Sequence, residues 1–205
     1  MTHVQFIWQF HQPYFSTPDR SNHTLPWVRL HAVGAIYNLV RTLEKHPGMS
    51  ATVTVSGSLL EQWRDYLEIG KRDTWWHLTV KSADELSVSD RRHILRHFFR
   101  AETARAFEEL PRYRELLEKR GDDPDRADPD DFSDQEFRDL QVLFNLSWFG
   151  PEARADRGVV QSLWNKGETY SESEKQALLE QQIEVMQVLV SLLRRLERRQ
   201  QIEIS

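Results

Sequence analysis

Val4-Gln-Phe-Ile-Trp-Gln-Phe10, closed by His11-Gln12-Pro13, is the stretch on which the fold turns. Aromatic and β-branched side chains without glycine, ending at a proline turn, mark a short buried strand. Side chains alternate along a strand, so Val4, Phe6, Trp8 and Phe10 share one face while Gln5, Ile7, Gln9 and His11 share the other. The polar face therefore ends in a histidine. After a loop rich in Ser, Thr, Pro and Asn, Val33, Ile36, Val40 and Leu43 recur at helical spacing up to the stop at Pro47-Gly48. Ala51-Thr-Val-Thr-Val-Ser56 is alternating and β-branched and reads as a second strand, and Gly57-Ser58 opens a helix with Leu59, Leu60, Trp63 and Leu67 on one side. Strand, helix, strand, helix in that order calls for an α/β fold with parallel strands joined by right-handed crossovers. His11 and Ser56 then belong at the same edge of the sheet.

Beyond residue 70 the pattern changes. No strand pattern appears before residue 201, and helical stretches are expected around 89–107, 111–120, 134–147 and 172–199. Ser133-x-x-Glu136 and Ser171-x-x-Glu174 are capping boxes, in which hydroxyl and carboxylate each satisfy an orphan amide at a helix start. The last helix repeats Leu178, Val185, Leu189, Leu192 and Leu196 with Gln182 interrupting, and Gln201-Ile-Glu-Ile-Ser205 restarts a strand. The expected division is two βα units over 1–70, a long helical insertion over 71–200 and a third strand beginning over 201–205.

The chain has 205 residues, 39% hydrophobic and 29% charged, which permits a real core and excludes disorder as the main state. A net charge of -5 offers phosphate backbones no attraction, so no nucleic-acid partner is expected. No run of about 18 apolar residues exists, so no membrane span is expected. The first strand leaves no room for a signal peptide, and a cytoplasmic location is expected. With no cysteine, any metal would need histidines and carboxylates. Gly121 to Asp131 holds six aspartates but lacks the ligand order of a calcium loop, and reads as a solvated loop. His93 and His97 share a helix face without the glutamate of a zinc-protease motif, and read as an exposed pair. No metal and no cofactor are assigned. Nucleotide-binding glycine loops and the Gly-x-Ser-x-Gly elbow are missing.

Two clusters remain. His11-Gln12-Pro13 sits at the carboxyl end of a first parallel strand, where barrels and open α/β sheets place their sites. Pro26-Trp27-Val28-Arg29-Leu30-His31 puts a stacking ring, a bidentate donor and an imidazole within six positions at the entrance of the next helix. Together they could surround a polyhydroxylated ligand.

Phe6-Ile-Trp-Gln-Phe-His-Gln-Pro-Tyr14 followed by Leu25-Pro-Trp-Val-Arg-Leu-His31 resembles the start of glycoside hydrolase family 57. Ser58-Leu-Leu-Glu-Gln-Trp63, Leu143-Phe-Asn-Leu-Ser-Trp-Phe149, Lys166-Gly167 before Tyr170-Ser-Glu-Ser-Glu-Lys175, and Gln201-Ile-Glu-Ile204 extend the likeness along the whole chain. The resemblance implies a retaining enzyme of α-glucans, of the α-amylase, amylopullulanase, glucanotransferase or branching type, on an incomplete (β/α)7 barrel. The chain would be the N-terminal portion of that barrel with a long helical insertion. Retention needs a nucleophilic Glu and an acid/base Asp about 5–5.5 Å apart. The resemblance places both on later strands, beyond residue 205, so no catalytic residue is assigned here. His11 is implied as the sugar-binding histidine of the innermost subsite, Gln12 shapes the turn, and Trp27, Arg29 and His31 line the same mouth. Gly150 departs from the family, where similar sequences have Asp in Trp-Phe-Asp-Pro. The expected ligand is an α-glucan or maltooligosaccharide, and an unpaired strand edge implies self-association or a complementing C-terminal part. Two other readings are a metal-dependent deacetylase or mannosidase-like barrel, which wants an Asp at a strand end, and a helical interaction module, which leaves the strands unexplained.

Overall fold

β1 (Ile7–Phe10) and β2 (Ala51–Val55) pair in parallel, Ile7 opposite Thr52 through Phe10 opposite Val55, and β3 (Ile202–Ile204) pairs in parallel along the other side of β2. The computed structural model describes residues 4–205. Among the described residues the sheet order is β1-β2-β3, so the fold is mixed α/β, mostly helical, with one small parallel sheet. The amide of Ser56 donates to the carbonyl of Phe10 at 3.0 Å, which sets His11 and Ser56 side by side at the carboxyl edge, as the sequence implies. β1 is less buried than expected. Ile7 is 65% exposed and Phe6 46%, because β1 is an outer strand, whereas Val53 in the central strand is fully buried.

The residues fall into two compact units. Among the described residues a strand unit holds 4–74, 150–153 and 182–205, and a helical unit holds 75–149 and 154–181. The stretch expected as one insertion over 71–200 is thus divided, since residues 150–153 and the later part of the last helix group with the strands.

In the strand unit, the first crossover is α1 (Trp27–His31), a π-helical turn over Ala32–Ile36, and α2 (Tyr37–Lys45). The expected core stripe is present: Val33, Ile36, Val40 and Leu43 are all buried. The π turn is not expected, and Gly34 within it takes φ -93 and ψ -108, outside helical geometry. The carbonyl of Val33 accepts from the Gly150 amide at 3.5 Å. A Cβ at Gly150 would stand 3.3 Å from both the Gly34 carbonyl oxygen and the Asn38 Cβ, so glycine suits this close approach. Asn38 Oδ1 accepts from the Glu152 amide at 3.2 Å, satisfying an orphan donor in the first turn of α9 (Pro151–Asp156). α3 (Gly57–Arg64) is capped by Ser56 Oγ, which accepts from the Leu59 amide at 3.3 Å.

In the helical unit the elements are α4 (Thr74–Val80), α5 (Val88–His97), α6 (Arg105–Glu109), α7 (Pro111–Arg120), α8 (Asp134–Leu146), α10 (Gly158–Lys166) and the first part of α11 (Glu172–Arg198). The helix expected over 89–107 is two, broken after His97. α8 is buried nearly all round, with Phe137, Leu140, Leu143 and Phe144 in the core. Its buried amides are used: Gln141 Nε2 donates to the Leu78 carbonyl at 2.7 Å and Asn145 Nδ2 to Thr79 Oγ1 at 3.1 Å. Both expected capping boxes form, at Ser133 with Glu136 and at Ser171 with Glu174. The aspartate-rich loop is tied by arginines, Asp125 to Arg96 and Asp123 to Arg126.

Candidate functional site

A cavity of about 390 Å³ opens at the carboxyl end of β1, within the strand unit. His11 and Gln12 line it from the strand end, His31 from the end of α1, and Ala35, Ile36 and Leu39 from the π turn and α2. Trp8 lines it too, with Phe6 stacked on it at 5.6 Å between ring centroids. Three residues singled out by sequence therefore share one cavity, although His31 lies twenty positions after His11. Trp27 is half-buried beside it, its ring 6.5 Å from that of His31 and tilted by 52°. Burial lowers the pKa of His31 below its ordinary value, so the ring is neutral near pH 7 and offers one donor and one acceptor.

Arg29 is a correction. It is fully buried and does not line the cavity. Its Nε donates to Asp73 Oδ2 at 2.6 Å, Nη2 to Asp73 Oδ1 at 3.4 Å, and Nη1 to Gln182 Oε1 at 2.6 Å. Helix geometry gives the reason: Trp27 and His31 are four residues apart on one face, and two residues onward from Trp27 is about 200° round the axis. The Tyr66 hydroxyl adds a third donor to Asp73 at 2.8 Å, and burial and the Asp73 charge raise its pKa well above the ordinary value. His23 stacks on Tyr66 at 5.1 Å, with its Nε2 3.5 Å from Asp65, beyond good hydrogen-bond reach. Gln182, which interrupts the apolar repeat of the last helix, is the partner of Arg29.

Two positioning residues escaped the sequence reading. Ser58 Oγ donates to the Gln12 carbonyl at 2.7 Å. Gln62, fully buried one turn later on α3, donates from Nε2 to the Pro13 carbonyl at 2.9 Å and accepts from the Phe15 amide at 2.9 Å. The helix that follows β2 thus clamps the turn that follows β1. An amide at i+4 from a serine, set between Leu59 and Trp63 in an apolar stripe, was the available signal.

None of the residues lining the cavity is a carboxylate. Imidazole, amide and aromatic groups can bind hydroxyls and stack on a sugar ring, but they cannot form or break a glycosidic bond by the two-carboxylate route. No helix among the described residues is long and apolar enough to cross a membrane. No curated protein and no solved structure matches the chain. The family model described as glycosyl hydrolase family 57 matches residues 5–205. With nearly every residue inside that match, the chain belongs to glycosyl hydrolase family 57.

Proposed function

We propose that this chain forms the sugar-holding side of a retaining α-glucan hydrolase or transglycosylase, with its strands as the first strands of an incomplete (β/α)7 barrel. The observation that carries the reading is the cavity at the sheet's carboxyl edge, in which His11 and Gln12 from β1 meet His31 from α1 in a family 57 chain. Family membership supports glycoside chemistry on glucans. His11 and neutral His31 take sugar hydroxyls, Trp27 supplies a ring beside them, and Gln62 and Ser58 fix the turn. The nucleophilic Glu and the acid/base Asp lie beyond residue 205 in this reading, consistent with a cavity lined by no carboxylate. The exposed apolar edge of β1 supports further pairing or covering of the sheet.

The test is maltooligosaccharide binding and turnover by the purified 205-residue chain. The expected result is weak binding, reduced at least about tenfold by His11→Ala, and no sustained product release. Turnover abolished by replacing a carboxylate within residues 4–205 would overturn the assignment of the catalytic pair.

A further inference from the structure

A second groove, of about 300 Å³, lies in the helical unit between the start of α7 and the end of α10. Leu110 and Pro111 give it an apolar wall, and Trp164, Asn165 and Glu168 line the facing side. Arg154 covers one face of the Trp164 indole at 3.9 Å, and it does not line the groove, so the stack holds the ring while another part of it meets the groove.

The charges say which ligand fits. Arg112 is engaged by Glu115 and Asp139 at 3.3 Å each, and Lys166 by Glu174 at 2.6 Å. Glu109 is likewise taken, by Arg154 at 3.0 Å and Arg105 at 2.6 Å. With its cations already paired, the groove offers an anion no free positive charge. Glu168 is exposed and has no ion pair or hydrogen bond among the described residues. Asn165 accepts from Gln161 at 2.9 Å through Oδ1, leaving its amide nitrogen without a partner among the described residues. The segment that presents Glu168 is held in shape: Gly167 has φ +76 and Thr169 φ +57, the second in a region β-branched residues avoid. A fixed ring, a free carboxylate acceptor and a free amide donor over an apolar wall match a neutral, hydroxyl-rich ligand.

We propose that this groove is a second oligosaccharide-binding site, in which Trp164 packs on a sugar ring and Glu168 and Asn165 take its hydroxyls. That the sugar is an α-glucan rests on the functional reading above.

The experiment is titration of the 205-residue chain with maltoheptaose, reading the indole N–H signals of the tryptophans by NMR, with Trp164 assigned through Trp164→Phe. The expected result is a saturable shift of the Trp164 signal, weakened about tenfold in Glu168→Ala and unchanged in His11→Ala. Because Glu168 is exposed, that variant tests binding without threatening the fold. A Trp164 signal that stays still while others move in a His11-dependent way would overturn the groove and leave the β1 cavity standing. Movement of Trp164 with no His11-dependent response supports the groove and removes the β1 reading. No response of any tryptophan at millimolar maltoheptaose overturns both.

Discussion

Arg29 in the strand unit and the His93–His97 pair in the helical unit are basic groups buried to different ends. Arg29 has no exposed surface, and Asp73 meets it with both carboxylate oxygens while Gln182 meets a third N–H. His93 and His97 are only half-buried, 4.5 Å apart between ring centroids and packed on Trp75 at 5.8 and 5.4 Å. Yet Nε2 of His93 and Nδ1 of His97 are buried with no hydrogen-bond partner. Burial pushes both pKa values down, that of His97 to about 4, and the like charges of Arg96 and Arg100 act in the same direction. The two regions differ in the acceptors they supply: the guanidinium meets prepositioned oxygens, whereas the buried imidazole nitrogens meet none.

The strongest break of this contrast is Arg29→Ala, which strands Asp73 in the interior. A loss of about 3–5 kcal/mol is expected in urea unfolding. Arg29→Lys should recover little, since one ammonium cannot reproduce the fork across Asp73 and Gln182. A loss below about 1 kcal/mol would mean that Asp73 sheds its charge at no cost. Next comes Gln62→Leu, which removes a neutral but fully satisfied group. It leaves the Pro13 carbonyl and Phe15 amide without that partner, so a loss of about 1–3 kcal/mol is expected, together with weaker maltooligosaccharide binding as the His11 turn loosens. Unchanged binding in a folded Gln62→Leu chain would show that the turn is held elsewhere.

The smallest effect is in pH. The folded pKa of His97 lies below its unfolded value of about 6.5, so the unfolded chain binds more protons between the two. Stability is therefore full above about pH 6.5 and falls as the pH drops toward about 4. Partial exposure reduces the size of the loss to about 1 kcal/mol. His97→Gln should flatten that part of a melting-temperature profile. His23, lowered by burial and raised less by Asp65 and Asp73, contributes with the same sign, so His23→Gln is the companion variant. The Arg29→Ala deficit, by contrast, should stay level from pH 7 to pH 6. A deficit that vanished across that interval would mean that the stranded Asp73 is relieved by taking up a proton.

Strands and core stripes were legible in the sequence because they are periodic. Val33, Ile36, Val40 and Leu43 repeat at helical spacing, and β2 alternates, so burial and parallel pairing followed from local pattern and the crossover rule. His11, Gln12 and His31 were found because a strand end and a helix start on one parallel edge must be neighbours. Arg29 misled because residue type was read without angle round the helix. Gln62 stands in an apolar stripe, which marks it as buried, but the residues it holds, 13 and 15, lie far away along the chain and no local spacing names them. The histidine pair was expected to be exposed because its cover, Trp75, comes from another helix. α9 and α10 were missed because their short segments carry weak apolar periodicity.

The π turn over Ala32–Ile36 has a consequence for how this chain can change in length. It adds about one residue to a turn of helix, and Gly34 carries the distortion. His31 lies before the extra residue, whereas Ile36 and Leu39 lie after it, and all three face one cavity. Deleting Gly34 would let the backbone close into a regular helix, which in isolation is an improvement. It would also turn Trp27 and His31 by about 100° relative to α2, carrying His31 off the cavity wall. Insertions or deletions between His31 and Leu39 are therefore what this site is least able to absorb.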